Sequence, residues 1–106
     1  MLRQRHANYY EAILQIRPAQ DEIIQFVLRY LENRKDCQIS RVSELKTGID
    51  MYLTSQRVAL ALGKKLKQYF KGSTITISRT VHHTDRHTSK VKYRVTILFR
   101  MKQQDI

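Results

Sequence analysis

Gly48-Ile49-Asp50-Met51-Tyr52-Leu53-Thr54 alternates apolar and polar side chains. Ile49, Met51 and Leu53 point one way, and Asp50, Tyr52 and Thr54 point the other, which is the period of a strand with one face buried. Thr54 or Ser55 can then cap a helix running to about Phe70, with Val58, Leu62, Leu66 and Tyr69 or Phe70 as its apolar stripe. Gly63 inside that helix costs about 1 kcal/mol against alanine, and close packing on a sheet would explain it. Gly72-Ser73 ends the helix. Thr74 to Val81 reads as a fourth strand with Ile75 and Ile77 inward. Lys92 to Arg100 reads as a fifth that buries Tyr93, Val95, Ile97 and Phe99. His82 to Lys90 has no regular apolar period and is expected to be a mobile hairpin loop.

Working back toward the N-terminus, Tyr9 to Arg17 is the first strand. Tyr10, Ala12, Leu14 and Ile16 share one face, and Tyr9, Glu11, Ile13, Gln15 and Arg17 the other. Pro18 ends it and suits the first turn of a helix over Pro18 to Arg34. Ile24, Val27, Leu28 and Leu31 make that helix's stripe, widened by Ile23, Phe26 and Tyr30. Asp21 and Glu22 sit at its positive end, and Arg34 and Lys35 at its negative end. Cys37 to Leu45 is a second strand in which Ile39, Val42 and Leu45, spaced by three, do not share one parity. A bulge or an early end would reconcile them. The order is β-α-β-β-α-β-β. This is an α+β, two-layer sandwich related to the ferredoxin-like fold, with two helices on one face of a mostly antiparallel sheet and the other face in water. Residues 1–106 are expected to form one domain, with residues 101–106 as a flexible tail.

Twenty Lys and Arg against nine Asp and Glu give a net charge of +11, which suits a polyanionic partner. The charge is segregated. Residues 1–50 carry eight basic and seven acidic side chains, and residues 51–106 carry twelve basic ones against only Asp85 and Asp105. Mean hydropathy is −0.52. No apolar run approaches the ~18 residues of a membrane span, and no secretory h-region follows the basic start. The single cysteine, Cys37, can form no internal disulfide and fits a reducing, cytoplasmic setting.

Three basic groups compose a candidate RNA-facing surface. On the second helix Arg57, Lys64 and Lys71 recur at seven, with Lys67 beside them. Lys92 and Arg94, with Arg100, lie on the polar face of the last strand. Arg79, Arg86 and Lys90 surround the loop, with His82, His83 and His87. Each alone also fits a solvated helix face, a charged edge strand or an ordinary polar loop. Tyr9 and Tyr52 on polar sheet faces could stack on bases, or pack half-buried. The histidines lack metal-ligand spacing, and no zinc motif, nucleophile motif or phosphate loop is present. The expectation is therefore a non-enzymatic protein with no cofactor, no metal and no small-molecule substrate.

Several segments resemble a known family. Tyr9-Tyr10-Glu11-Ala12-Ile13-Leu14-Gln15-Ile16-Arg17 is similar to the strand that follows the zinc-binding cysteines in archaeal members of the nonsense-mediated mRNA decay protein 3 family. Gly48-Ile49-Asp50-Met51-Tyr52, then Ser55 and Ala59, resembles the family's Gly-x-Asp-x-Tyr stretch and the helix after it. Ser78-Arg79, Asp85 and Tyr93-Arg94-Val95-Thr96 resemble its closing hairpin. The resemblance runs in order over most of the chain. Eukaryotic members are export adaptors of the large ribosomal subunit, which they bind at its intersubunit face, and archaeal relatives are shorter. The resemblance implies a module that binds the large subunit through its rRNA, with ribosomal proteins as a further contact. The family's Cys-x-x-Cys segment and leucine-rich tail have no counterpart in these residues. They are therefore read as the central α/β part of a longer protein or as a shortened member. The rival readings are a protein-protein adaptor docking through its sheet face or edge, and a small enzyme for an anionic substrate.

Overall fold

The computed structural model describes residues 9–84 and 91–102. In chain order they form β1 (Ala12–Arg17), α1 (Asp21–Glu32), β2 (Ile39–Leu45), β3 (Gly48–Leu53), α2 (Gln56–Tyr69), β4 (Thr74–Thr84) and β5 (Val91–Arg100). One mixed sheet has the order β2-β3-β1-β5-β4. Three of its neighbouring pairs are antiparallel, and β1 and β5 are parallel. Without β5 the order would be that of a split β-α-β sandwich. The extra strand is inserted between β1 and β4 rather than added outside them. Composition explains the choice. β5 places Val95, Ile97 and Phe99 in the core with no exposure, whereas β4 alternates Thr74, Thr76, Ser78 and Thr80 and tolerates an edge.

The core lies on one side of the sheet. Ala12, Leu14 and Ile16 of β1 face the same way as Ile49, Met51 and Leu53 of β3 and the three core residues of β5. Ile23, Val27 and Leu31 of α1 and Val58, Leu62 and Leu66 of α2 close over them. The α1 stripe is turned from the expected one, for Ile24 is only half-buried and Leu28 is exposed. Phe26 packs on Tyr69 and Phe70, at centroid distances of 4.8 and 5.6 Å, and rolls the helix toward α2. Between the two candidates for the end of the α2 stripe, Phe70 is buried and Tyr69 is not. The notch at Gly63 has its reason in packing, since a Cβ there would lie 3.2 Å from Ile97 Cγ2.

Helix starts follow local hydrogen bonding. Ser55 Oγ accepts from Val58 N at 3.3 Å, and Glu11 Oε1 accepts from Gln56 N at 2.9 Å. Two of the four otherwise unpaired N–H groups of α2 are thereby satisfied. Thr54, the other candidate cap, instead accepts from Gln38 N at 2.9 Å. The first helix begins at Asp21 rather than Pro18, because Gln20 N donates back to Pro18 O in a turn.

One strand expectation is met and two are modified. A register shift between Ile39 and Arg41 supplies the bulge that the parity of β2 demanded. β4 continues through Thr84, so the part of the expected loop from His82 to Thr84 is strand. Tyr93, expected in the core, is 44% exposed, and Val81 opposite it is 62% exposed. The cause is length. The 14 residues of α2 cover about 21 Å, while the 11 residues of β4 reach about 37 Å. The hairpin thus outruns the helix that covers its base. Residues 85–90, the rest of that loop, and 103–106 lie outside the described residues. Met101 N donates to Arg17 O at 2.9 Å.

β1 and β3 are fastened where they approach most closely. A Cβ on Gly48 would lie 2.0 Å from Ile16 O and 2.8 Å from Arg17 Cδ. The missing side chain makes room for Arg17, whose Nη2 sits 2.7 Å from Asp50 Oδ1. Its Nη1 donates to Ile16 O and Ile49 O at 3.1 and 3.2 Å. The two side chains are only 12% and 13% exposed, so solvent screens the pair weakly. Gly48→Ala is expected to destabilise the fold by about 2 to 3 kcal/mol through backbone overpacking, read as a lower denaturant midpoint. Asp50→Asn should cost about 1 to 3 kcal/mol by stranding the guanidinium. A cycle with Arg17→Gln should give a coupling of about 1 kcal/mol or more; additive effects would mean the contact contributes nothing.

Candidate nucleic-acid interface

The face of the sheet that no helix covers is mostly polar and cationic, with Ile13 and Leu98 half-buried on its central strands and Leu45 at its β2 edge. Alternation places Arg41 and Ser43 of β2, Asp50 and Tyr52 of β3, and Gln15 and Arg17 of β1 on it. β5 adds Lys92, Arg94, Thr96 and Arg100, and β4 adds its row of hydroxyls. Asp50 is the one acid in this set, and Arg17 neutralises it.

Four side chains of this face form a continuous column. The Arg41 guanidinium lies over the Tyr52 ring, 4.1 Å from its centroid. Tyr52 meets Tyr10 edge-on at 4.9 Å. The Arg94 guanidinium lies over Tyr10 at 3.9 Å, and its Nε and Nη1 donate to Tyr10 O and Oη, both at 3.2 Å. Each guanidinium thus stands within cation–π distance of an aromatic face. Arg41 is exposed and Tyr52 half-buried, so the Arg41 end of the column meets solvent.

Tyr10 reaches this face because the backbone bends at Glu11. The bend breaks the alternation that would have grouped Tyr10 with Ala12. It also sends the Glu11 carboxylate to the N-terminus of α2, where the Tyr9 hydroxyl donates to it. Of the two tyrosines expected to offer stacking surfaces, Tyr52 therefore stands in the column and Tyr9 is tied beside the helix start.

The remaining basic residues gather on the helix side. Lys64, Lys67 and Lys71 are exposed. Helical spacing puts them on the flank of α2 opposite the one where Tyr69 meets α1. That flank borders β4, where Arg79 stands exposed between Ile77 and Val81 on the helix side of the strand. Arg57 shares the flank but is engaged, with Nη2 3.0 Å from Asp36 Oδ2. Arg34 holds the Asp36 carboxyl below its ordinary range, chiefly by a hydrogen bond. Burial pushes the Cys37 thiol up, which suits a packing residue.

The anticipated residues thus fall into two groups joined around the β4–β5 hairpin. Lys64, Lys67, Lys71 and Arg79 line the helix side, and Lys92 and Arg94 stand on the uncovered face. Arg86 and Lys90 lie outside the described residues. Sequence reasoning passed over Tyr10 and Arg41. The aromatic and basic signals were present at both positions, but their union depends on a bend and on the β2–β3 register across a bulge. No helix among the described residues is long and apolar enough to cross a membrane.

Comparison with curated proteins gives no match. Comparison with family models gives one that covers nearly all the described elements. The model described as NMD3, second domain, matches residues 9–101, which include both helices, all five strands and the tyrosine–arginine column. The chain therefore belongs to the NMD3 family, a family associated with the large ribosomal subunit.

Proposed function

We propose that this domain is a non-enzymatic, cytoplasmic module that holds the large ribosomal subunit by binding rRNA across the β4–β5 hairpin. The observation that carries the reading is the sorting of charge. Lysines of α2 and Arg79 lie on one side of the hairpin, and Lys92 and Arg94 on the other, with Arg41 on that same face at the far edge of the sheet. Among the described residues, the one carboxylate that alternation puts on the uncovered face, Asp50, is paired with Arg17. Phosphates passing over the edge would meet cations on both sides and the hydroxyls of Thr76, Ser78 and Thr80 along it. Such contacts position an RNA without reading its bases.

The Arg41–Tyr52–Tyr10–Arg94 column adds a place for an unpaired base. A guanidinium backed by an aromatic ring stacks a base on its free face, as single-stranded RNA readers do with planar side chains. The column is preorganised by its own contacts, so little side-chain entropy would be lost on binding. The reading therefore combines a salt-sensitive phosphate track with a salt-insensitive stacking point.

Co-sedimentation with purified large and small subunits over a salt series tests this directly. The native domain should bind the large subunit stoichiometrically. Lys64→Glu/Lys67→Glu/Lys92→Glu should lose at least about tenfold in affinity, and neutralising each lysine should reduce the salt slope by about one. Equal binding to both subunits that vanishes with salt would reduce the charge to nonspecific attraction. A second variant separates stacking from charge. Arg41→Lys keeps the cation but loses the plane, so it should weaken binding to a single-stranded RNA oligomer several-fold with the salt slope unchanged. An unaltered affinity would remove the column from the interface.

A further inference from the structure

The pole of the molecule farthest in character from the basic surface is a groove between α1 and the end of α2. Asp21, Glu22, Gln25, Phe26, Arg29, Tyr30 and Tyr69 line it, and its volume is about 690 Å³. Three of these residues are aromatic. Tyr69 is 63% exposed, yet it is held in place. Its ring packs on Phe26 at 4.8 Å and on Phe70 at 5.0 Å, and Phe70 in turn meets the core ring of Phe99 at 6.0 Å. An exposed aromatic braced by a ladder of rings down to the core is a rigid anchor of the kind that dominates protein–protein contacts.

The electrostatics of the groove oppose those of the rest of the chain. Asp21 and Glu22 are exposed at one end, and among the described residues neither makes an ion pair. The other strand and loop acids with an interaction described above, Glu11, Asp36 and Asp50, are each engaged by a donor. Asp21 and Glu22 thus present unneutralised carboxylates beside aromatic faces, on a protein of net charge +11. Arg29 closes the opposite end and would repel a second cation there. A ligand is accordingly oriented, with its positive group toward the start of α1 and its apolar group over Tyr69 and Phe26. RNA fits poorly, because its phosphates would face the two carboxylates.

We infer that this groove docks a basic peptide segment of a partner protein, an arginine or lysine engaging Asp21 and Glu22 while a neighbouring apolar side chain packs on Tyr69, Phe26 and Tyr30. The segment would gain a charge-assisted hydrogen bond, a cation–π contact and burial on a preformed surface. The site is separate from the RNA-facing surface and does not rest on that reading. The domain so read has two poles of opposite sign and could hold a nucleic acid and a basic protein tail together.

The test is fluorescence anisotropy with a short labelled peptide of alternating arginine and leucine, added to the whole 106-residue chain. Controls replace arginine by glutamine or by glutamate. Saturable one-to-one binding of the arginine peptide is expected despite the net positive charge of the protein. Asp21→Asn/Glu22→Gln and Tyr69→Ala should each weaken it by about tenfold, while Tyr69→Phe should bind like the native chain. Circular dichroism of each variant confirms that the fold is retained. Equal affinity in all variants, stronger binding of the glutamate peptide, or no saturable binding would overturn the assignment. So would concentration-dependent dimerisation abolished by Tyr69→Ala without peptide binding, which would make a second copy the occupant. None of these outcomes alters the salt-dependent binding of RNA, so the two readings fail independently.

Discussion

Two helices can blanket only one side of a five-stranded sheet, and the rest of this structure follows from that shortage of cover. Burial of apolar surface is the main favourable term in folding, so the alternating apolar side chains of β1, β3 and β5 all turn toward α1 and α2. Their polar alternates are left in water as a continuous surface. Strand order obeys the same demand. β5, with Val95, Ile97 and Phe99 fully buried, lies between β1 and β4, while the hydroxyl-rich β4 and the largely exposed β2 take the edges. The Gly48 notch and the Arg17–Asp50 pair then fasten β1 to β3 without adding apolar surface to the open side.

An uncovered sheet face needs interactions of its own to be ordered. Here they are largely electrostatic and aromatic, set around the half-buried Ile13 and Leu98. Each arginine of the column rests on a tyrosine, which restrains a long side chain, the exposed Arg41 and the half-buried Arg94 alike. The same arrangement joins stability to recognition. Arg94 fixes Tyr10, and Tyr10 fixes Tyr52, so the surface is rigid before a partner arrives. A flexible array of lysines, such as the α2 flank, would confer affinity through counterion release but little orientation.

Charge is distributed to match these two layers. The acids that are needed structurally are spent inside the fold, Glu11 at the start of α2 and Asp50 against Arg17. This leaves the hairpin and the α2 flank strongly basic, while Asp21 and Glu22, exposed like Glu32 and Glu44, lie beside an aromatic groove. The two poles lie on different elements, so substitutions at one should leave the other intact.

Periodicity with cap and breaker residues placed both helices and all five strands to within a few residues, and a count of charges gave the polarity of the two halves, because these signals are local and are read without knowing partners. The irregular pairing of β2 was also visible as a parity conflict, and the bulge brings Ile39 and Val42 to one face. The membership of Lys64, Lys67, Lys71 and Arg79 in one surface could be suspected from their number. Which residues actually meet depended on long-range geometry. The insertion of β5 beside β1, the bend at Glu11 that turns Tyr10 to the open face, and the register that sets Arg41 against Tyr52 each join residues distant in sequence. The exposure of Tyr93 came from the mismatch in length between hairpin and helix, which shows only once the two are packed together. The aromatic groove likewise exists only where α1 rolls onto α2. The chain by itself thus determined the elements and the segregation of charge, since both are properties of neighbouring residues. Tertiary structure alone decided the tyrosine–arginine column and the acidic groove, since contacts between distant segments depend on strand order and helix rotation, which no local period encodes.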